Sequence, residues 1–245
     1  HTTENSALLN SDHGKKITKL AGGTGPICVS CHGNQHYIGS VKGKSSPVAR
    51  SKIIQTCEDC HTKKTLDSVV QGKKLKAYMD YGNTVHGKAF LAKKNTNAAI
   101  CTDCHGSHEL DFSTKNSKSL VYKFNIPHTC GKCHAEIKET YLKSIHGKKV
   151  LEGVKEAPVC TDCHGEHNIQ AHKEPGSLVY AGSVSKMCSN CHSSEKITSK
   201  FSLPTDRGST YMESYHGLAS QSGSLTVANC ASCHGVHNIL LSSDP

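Results

Sequence analysis

Fourteen Cys and eighteen His stand in this 245-residue chain, and their spacing points to one chemistry. All fourteen Cys fall into seven copies of C-x-x-C, and a His directly follows each copy. The copies are Cys28-Cys31-His32, Cys57-Cys60-His61, Cys101-Cys104-His105, Cys130-Cys133-His134, Cys160-Cys163-His164, Cys188-Cys191-His192 and Cys230-Cys233-His234. C-x-x-C-H is the attachment signature of a c-type haem. Two thiols add to the two vinyl groups of one porphyrin, and the spacing sets both sulfurs along one porphyrin edge. The adjacent His then stands under the iron as its proximal ligand. Paired Cys also serve zinc sites, redox dithiols and disulfides. None of these calls for His after the second Cys in seven cases of seven. The expectation is seven covalent haems c, each with its iron.

Each iron has a sixth position. His there makes a low-spin electron carrier, an open position invites substrate chemistry, and Met raises the potential. The only Met residues are Met79, Met187 and Met212, and none recurs in a repeat. Bis-His ligation and low potentials are therefore expected throughout.

The seven motifs alternate between two types. In type A, Gly follows the proximal His and another His comes soon after, as in CHGNQH (31–36), CHGSH (104–108), CHGEH (163–167) and CHGVH (233–237). A His-Gly pair precedes each type A motif, at His13, His86, His146 and His216. The motifs beginning at Cys57, Cys130 and Cys188 lack the trailing His and form type B. The order is A-B-A-B-A-B-A, which reads as an array rather than one compact core. A hydroxyl residue stands two before each His-Gly pair (Ser11, Thr84, Ser144, Ser214), and a Tyr five before three of them (Tyr81, Tyr141, Tyr211). Ser-Leu-Val-Tyr recurs at 119–122 and 177–180.

Eight His occupy repeat positions beyond the proximal seven: His13, His36, His86, His108, His146, His167, His216 and His237. The spacing suggests that each His-Gly His serves the type A haem of its own unit, so that His13, His86, His146 and His216 complete the first, third, fifth and seventh haems. The trailing His36, His108 and His167 then serve the following type B haems, and His237 is left over. If the direction is backward, His36 is the surplus one. His1, His128 and His172 have no repeat counterparts and are read as surface residues.

The elements that position these ligands are short. Ile137, Tyr141 and Ile145 recur at about one turn, so 135–146 reads as a helix with Gly147 as its stop. By repetition, short helices also end near His86 and His216. The segments from type B to the next type A are rich in Lys, Ser, Thr and Gly and read as surface loops. No run alternates as a strand would. The expected fold is mostly irregular with short α-helices and little or no sheet, packed around haem. It is one unit over 1–245, built of repeats at 8–61, 81–134, 141–192 and 211–245.

Composition agrees. Hydrophobic residues make up 35%, aromatics 5%, and Trp is absent, against roughly 45–50% apolar in an ordinary soluble domain. Cofactors would have to supply the missing apolar mass. The formal charge is +9. Fourteen propionates on seven haems would carry it to −5, and seven ferric centres with two neutral His each would return it to +2. The basic residues thus read as counter-ions, and no aromatic-and-basic nucleic-acid motif is present. No run of about 18 apolar residues predicts a membrane span. The chain opens on His1 without a signal-peptide pattern, as a processed chain would.

Several flanking segments look familiar. APVCTDCHGEHNI (157–169), SIHGKKV (144–150) and NIPHTCGKCH (125–134) resemble repeats of multihaem cytochromes c from anaerobic, respiring prokaryotes, including metal reducers. The resemblance runs from about His13 to the end. It implies bis-His haems, export before haem attachment, and electron transfer in the periplasm or outside the cell, toward redox proteins or extracellular acceptors. Some such cytochromes polymerise into extracellular filaments in which a His crosses between subunits. Three features depart from the pattern. CHGNQH has one extra residue before His36, His128 stands where Lys is expected, and the sequence stops at 242–245 where a longer relative runs on to another type B haem.

Two function classes follow. One is an electron carrier without a substrate of its own, as a shuttle or a polymerised wire. The other is a reductase of a small oxyanion or sulfur compound at one five-coordinate haem. The absence of C-x-x-C-K and the supply of His favour the carrier.

Overall fold

A computed structural model describes residues 1–20, 27–34, 36, 38–61, 81–111 and 116–241. Met79, much of the first loop after a type B motif, and the final 242–245 lie outside the described residues. Among the described residues there are short helices and loops but no strand, as the sequence predicted. By its contacts the chain divides into two compact units, His1–Thr129 and Cys130–Pro245.

The apolar core of each unit is small. In the first, Ile54, Phe90, Ala98 and Ile100 cluster, with Ile53, Tyr81, Ala89 and Cys101 packed against them. In the second, Val150, Ala157, Val159 and Val184 are buried. These buried residues flank the C-x-x-C-H segments, so what core there is surrounds the attachment sites.

The His-Gly segments fold differently from expectation. Ala135–Lys143 is a helix, but it ends at Ser144, and a second helix, Ile145–Leu151, begins there. Gly147 lies inside the second helix and is not a stop. The same corner joins Arg207–Glu213 to Tyr215–Gln221 at Ser214. At Thr84 it opens Val85–Gly87, which runs on as a π-helical turn, Lys88–Ala92. The periodic apolar residues continue across the break, which is why the sequence read as one helix.

The hydroxyl residue makes the corner. Ser144 Oγ donates to the Tyr141 carbonyl at 2.6 Å and accepts from the Gly147 N–H at 3.1 Å. One side chain thus closes the first helix and caps the second. Ser11, Thr84 and Ser214 make the same two bonds to Leu8 and Gly14, Tyr81 and Gly87, and Tyr211 and Gly217. At Gly147 any Cβ would overlap the Tyr141 carbonyl. That contact, rather than a turn, requires glycine after the His.

The Tyr ties each corner to the next type A motif. Tyr81, Tyr141 and Tyr211 donate to the carbonyls of Ala99, Pro158 and Ala228 at 2.8, 2.6 and 3.1 Å. Each acceptor lies two residues before a first Cys. The segment after the type B motif at Cys188 is partly helical, at Glu195–Thr198 and Ser199–Phe201, and Thr198 is fully buried. It is therefore not the plain surface loop its composition suggested. Thr198 is held inside because its hydroxyl donates to the Ser194 carbonyl at 3.0 Å.

Candidate haem sites

Most of the C-x-x-C-H motifs lie within helices. Those at Cys101–His105, Cys160–His164 and Cys230–His234 are single helical turns, and those at Cys57 and Cys188 close longer helices, Ile53–His61 and Val184–His192. At Cys130 the helix Ile126–Gly131 ends early, but the Cys133 and His134 N–H groups still reach the Cys130 carbonyl at 3.2 and 3.0 Å. A helical turn puts residues i and i+3 on one face, so both sulfurs of a motif point the same way.

Type A turns are fixed at both ends. Asp103 accepts from its own Ile100 N–H at 2.8 Å, and Asp162 from Val159 at 2.7 Å. Ser232 does the same for Asn229 at 3.1 Å. At the other end Gly106, Gly165 and Gly235 adopt φ of 78°, 79° and 75° with ψ near 180°. Only glycine enters that region without strain. This explains the Gly after the type A His: it turns the chain so that the trailing His leaves its own motif.

The imidazoles meet in pairs. His13 lies 6.3 Å from His61, His32 lies 6.1 Å from His108, His146 lies 6.1 Å from His192, and His164 lies 5.9 Å from His237, all between ring centroids. Three pairs are within 20° of parallel, and the His146 pair is tilted by 47°. Each pair joins one proximal His to a His from another motif's flank. Two imidazoles on opposite sides of one metal, each bonded through nitrogen at about 2.0 Å, have centroids about 6 Å apart. The pairs therefore fit two axial ligands of one iron.

These ring contacts depart from the forward pairing that spacing suggested and, for the trailing His, run in the backward direction. His13 and His146 face type B proximal residues, not the type A motifs of their own units. His108 faces the earlier type A His32 instead of the following type B motif. His237, the surplus residue only if the trailing His reach forward, faces His164. Backbone bonds account for the change. The His13 N–H donates to the Leu110 carbonyl at 3.2 Å, and Ile145 donates to Ile239 at 2.8 Å. They pin the trailing segment of a later type A motif against an earlier corner. Nothing in linear spacing reports such a bond. The ring contact at His216 is with its neighbour Tyr215, at 5.7 Å, and does not involve His234. His1, His128 and His172 are exposed, as expected, and so is His36.

Burial favours the neutral imidazole, the form that ligates a metal, at His13 and His146. Burial, then the facing His61, pulls His13 down to about 4. Burial, then His192, does the same at His146.

Sulfur contacts link neighbouring motifs. The Cys57 thiol is hydrogen-bonded to Cys101, Cys130 to Cys160, and Cys188 to Cys230. In each case the first Cys of a type B motif meets the first Cys of the next type A motif. Cys188 donates, which pulls Cys230 down to about 7. The second Cys residues interact electrostatically in the other direction, Cys31 with Cys60 and Cys163 with Cys191. Among the described residues no group of three or more His, Cys, Asp or Glu is arranged to hold a bare metal ion.

Residues 152–197 match a protein family described as a doubled CXXCH motif. No curated protein and no solved structure matches the chain. The matched segment holds the motifs at Cys160 and Cys188, and its likeness supports a multihaem c-type cytochrome. Paired C-x-x-C-H motifs indicate covalent haem c and electron transfer. Among the described residues no helix is long and apolar enough to cross a membrane.

Proposed function

We propose that this chain is an electron carrier with seven closely spaced c-type haems, one on each C-x-x-C-H motif. The observation that carries the reading is the set of four imidazole pairs at 5.9–6.3 Å, each joining a proximal His to a His that flanks a different C-x-x-C-H motif. When bound, the haems supply the redox chemistry. The chain's residues anchor, ligate and space them. The fourteen Cys hold the porphyrins. His32, His61, His105, His134, His164, His192 and His234 are the proximal ligands. His13 and His146 complete type B haems, and His108 and His237 complete type A haems. His86 and His167 hold the same repeat positions as these two classes and take the same roles.

The sulfur contacts support sequence order within each unit, from the first motif to the third and from the fourth to the seventh. Porphyrins anchored on touching sulfurs have neighbouring edges, which favours electron transfer. A pyridine haemochrome assay should give seven haems per chain. A colourless protein containing zinc, or disulfides in place of thioethers, would overturn the reading.

The C-x-x-C-H motifs and the resemblance to exported cytochromes support work outside the cytoplasm, in the periplasm or beyond the cell. Donors and acceptors are redox proteins or extracellular acceptors. A homopolymeric filament loses the argument from a surplus His237, because that residue has a partner in its own chain. One observation favours the second reading, a multihaem reductase of a small oxyanion or sulfur compound: among the described residues no imidazole faces His234.

A further inference from the structure

The helix Val184–His192 carries Cys188 and Cys191 on one side and builds something else on another. Ser185, Ser189 and Ser193 recur every fourth residue, so at about 100° per residue they share a face turned away from the two Cys. That face borders a cavity of about 410 Å³, completed by Gly182, Met212, Ser220 and Gln221 and by the exposed Lys186. Its size is that of a small-molecule site, about 300–1,000 Å³. At Gly208 a Cβ would overlap the hydroxyls of Ser189 and Ser193, so glycine lets the helix Arg207–Glu213 close this wall.

The preceding type B motif carries apolar residues at the same positions. With Cys188 set on Cys130, Gly182 and Ser185 fall on Phe124 and Pro127. With Ser214 set on Ser144, Ser220 and Gln221 fall on Val150 and Leu151. Pro127 and Val150 are buried. Glycine, hydroxyl and amide thus replace apolar bulk, which opens the cavity and makes its wall polar.

The hydroxyls of this wall are not engaged. Elsewhere a hydroxyl braces the backbone, as at Ser119, Ser144 and Thr198. Ser185 is only 7% exposed, yet among the described residues its hydroxyl has no hydrogen-bond partner. The same is true of the Ser189, Ser193 and Ser220 hydroxyls. A buried hydroxyl left this way costs about 1–3 kcal/mol, and a ligand that accepts its proton removes that cost. The charge of the lining has one sign. Lys186 supplies it and has no ion-pair partner among the described residues, and no carboxylate borders the cavity. Ser185 and Lys186 stand in the first turn of a nine-residue helix, whose N-terminal end favours negative charge.

We propose that this cavity binds a small oxyanion of the phosphate or carboxylate class. Lys186 pairs with its charge, and Ser185, Ser189, Ser193 and Ser220 donate to its oxygens. The ion lies across the helix from Cys188 and Cys191. It therefore adds negative charge near the haem held there without reaching the iron, and it lowers that haem's potential. Binding does not depend on the seven-haem reading; the shift in potential does.

The test is isothermal titration calorimetry of the full chain, haems in place, with inorganic phosphate and with succinate in a chloride background. Saturable binding of one ion per chain is expected, and the tighter of the two names the class. Lys186→Gln should weaken it about tenfold or more, as loss of a charge-assisted bond does. Ser220→Val, which installs the residue of the preceding copy, should abolish it. Both variants should keep the wild-type haem spectrum and melting temperature, and Lys148→Gln at the other corner should leave the affinity unchanged. In a redox titration the saturating ion should move one component downward. The proposal is overturned if neither ion binds, or if Ser220→Val binds as wild type does. Binding with every potential unmoved would overturn the tuning and support the site alone.

Discussion

The imidazole of His13 faces that of His61 across 6.3 Å, with the two rings 16° from parallel. The two residues are 48 positions apart (13 to 61), and a whole type A motif lies between them. His146 and His192 repeat the arrangement at a separation of 46 (146 to 192). This relationship leads to the first prediction. His13→Ala should convert one haem of the set to high-spin iron, seen by electron paramagnetic resonance, and leave the haem count unchanged. His13→Met should keep that haem low-spin and raise its potential, because thioether ligation favours the ferrous state. A spectrum in which either variant perturbs the haem at His32 instead would refute the pairing.

Gly235 allows a geometric test. Its φ of 75° and ψ of −175° belong to a region that costs other residues about 1–3 kcal/mol. A Cβ there would also strike Asn238 Oδ1. Gly235→Ala should therefore pull His237 off its position opposite His164. The expected signature is a fraction of one haem turning high-spin, with a lowered melting temperature. An unchanged spectrum would mean that the trailing His does not depend on this turn.

The corner at Ser144 predicts a graded series. Ser144→Ala removes both bonds of a buried cap and should cost about 0.5–2 kcal/mol in thermal unfolding. Ser144→Thr keeps the hydroxyl and should cost less, since Thr84 does the same work in another copy. Gly147→Ala should be worse than Ser144→Ala, because its Cβ meets backbone that cannot swing away.

Tyr81 gives a pH dependence. Its hydroxyl donates to the Ala99 carbonyl at 2.8 Å. Burial, then the nearby Cys101 and Asp103, pushes it up to about 12. The unfolded phenol ionises near 10. Being raised in the folded state, Tyr81 contributes stability that is fully present below about pH 10 and is lost as pH rises to about 12. Tyr81→Phe should thus be less stable than wild type at neutral pH, by about 1 kcal/mol for the lost bond. The gap should close between about pH 10 and 12 in alkaline melts. A gap that widens there would contradict the assignment.

Arg50 supplies a structural prediction. It donates to both Asp103 carboxylate oxygens, at 2.9 and 2.8 Å, and to the carbonyls of Thr96 and Ala98 at 2.7 and 2.9 Å. The ion pair is partly exposed, so its charge term is worth only about 0–1 kcal/mol. The carbonyl bonds matter more. Arg50→Lys should lose most of the stability that Arg50→Ala loses, because an ammonium cannot fork to four acceptors. Added salt should change the difference little.

Much of this arrangement was legible in the sequence, because haem attachment uses an invariant local spacing. The seven motifs, the two types and the recurring hydroxyl, Tyr and Gly positions could all be read directly. Their reasons could not. Gly147 looked like a stop because its crowding comes from a carbonyl six residues earlier, and Ser144 looked helical because the apolar period runs through it. The ring pairs were not legible because local spacing favours the nearest His, whereas backbone bonds such as Ile145 to Ile239 bring sequence-distant segments together. A spacing signal did exist: His32 to His108 and His164 to His237 are 76 and 73 residues apart, nearly as constant as the motif separations themselves.

That long separation bears on how the protein is made. Under the proposed ligation, the first haem is fixed to Cys28 and Cys31 early in export, yet its second ligand emerges 76 residues later (32 to 108). Until then its iron is exposed to whatever imidazole arrives first, including the wrong one. Nearer His residues, such as His36 and His86, pass by before His108 does. Correct maturation is therefore a problem of sequence-distant closure, slow by its nature. Misligated intermediates would be its characteristic by-product.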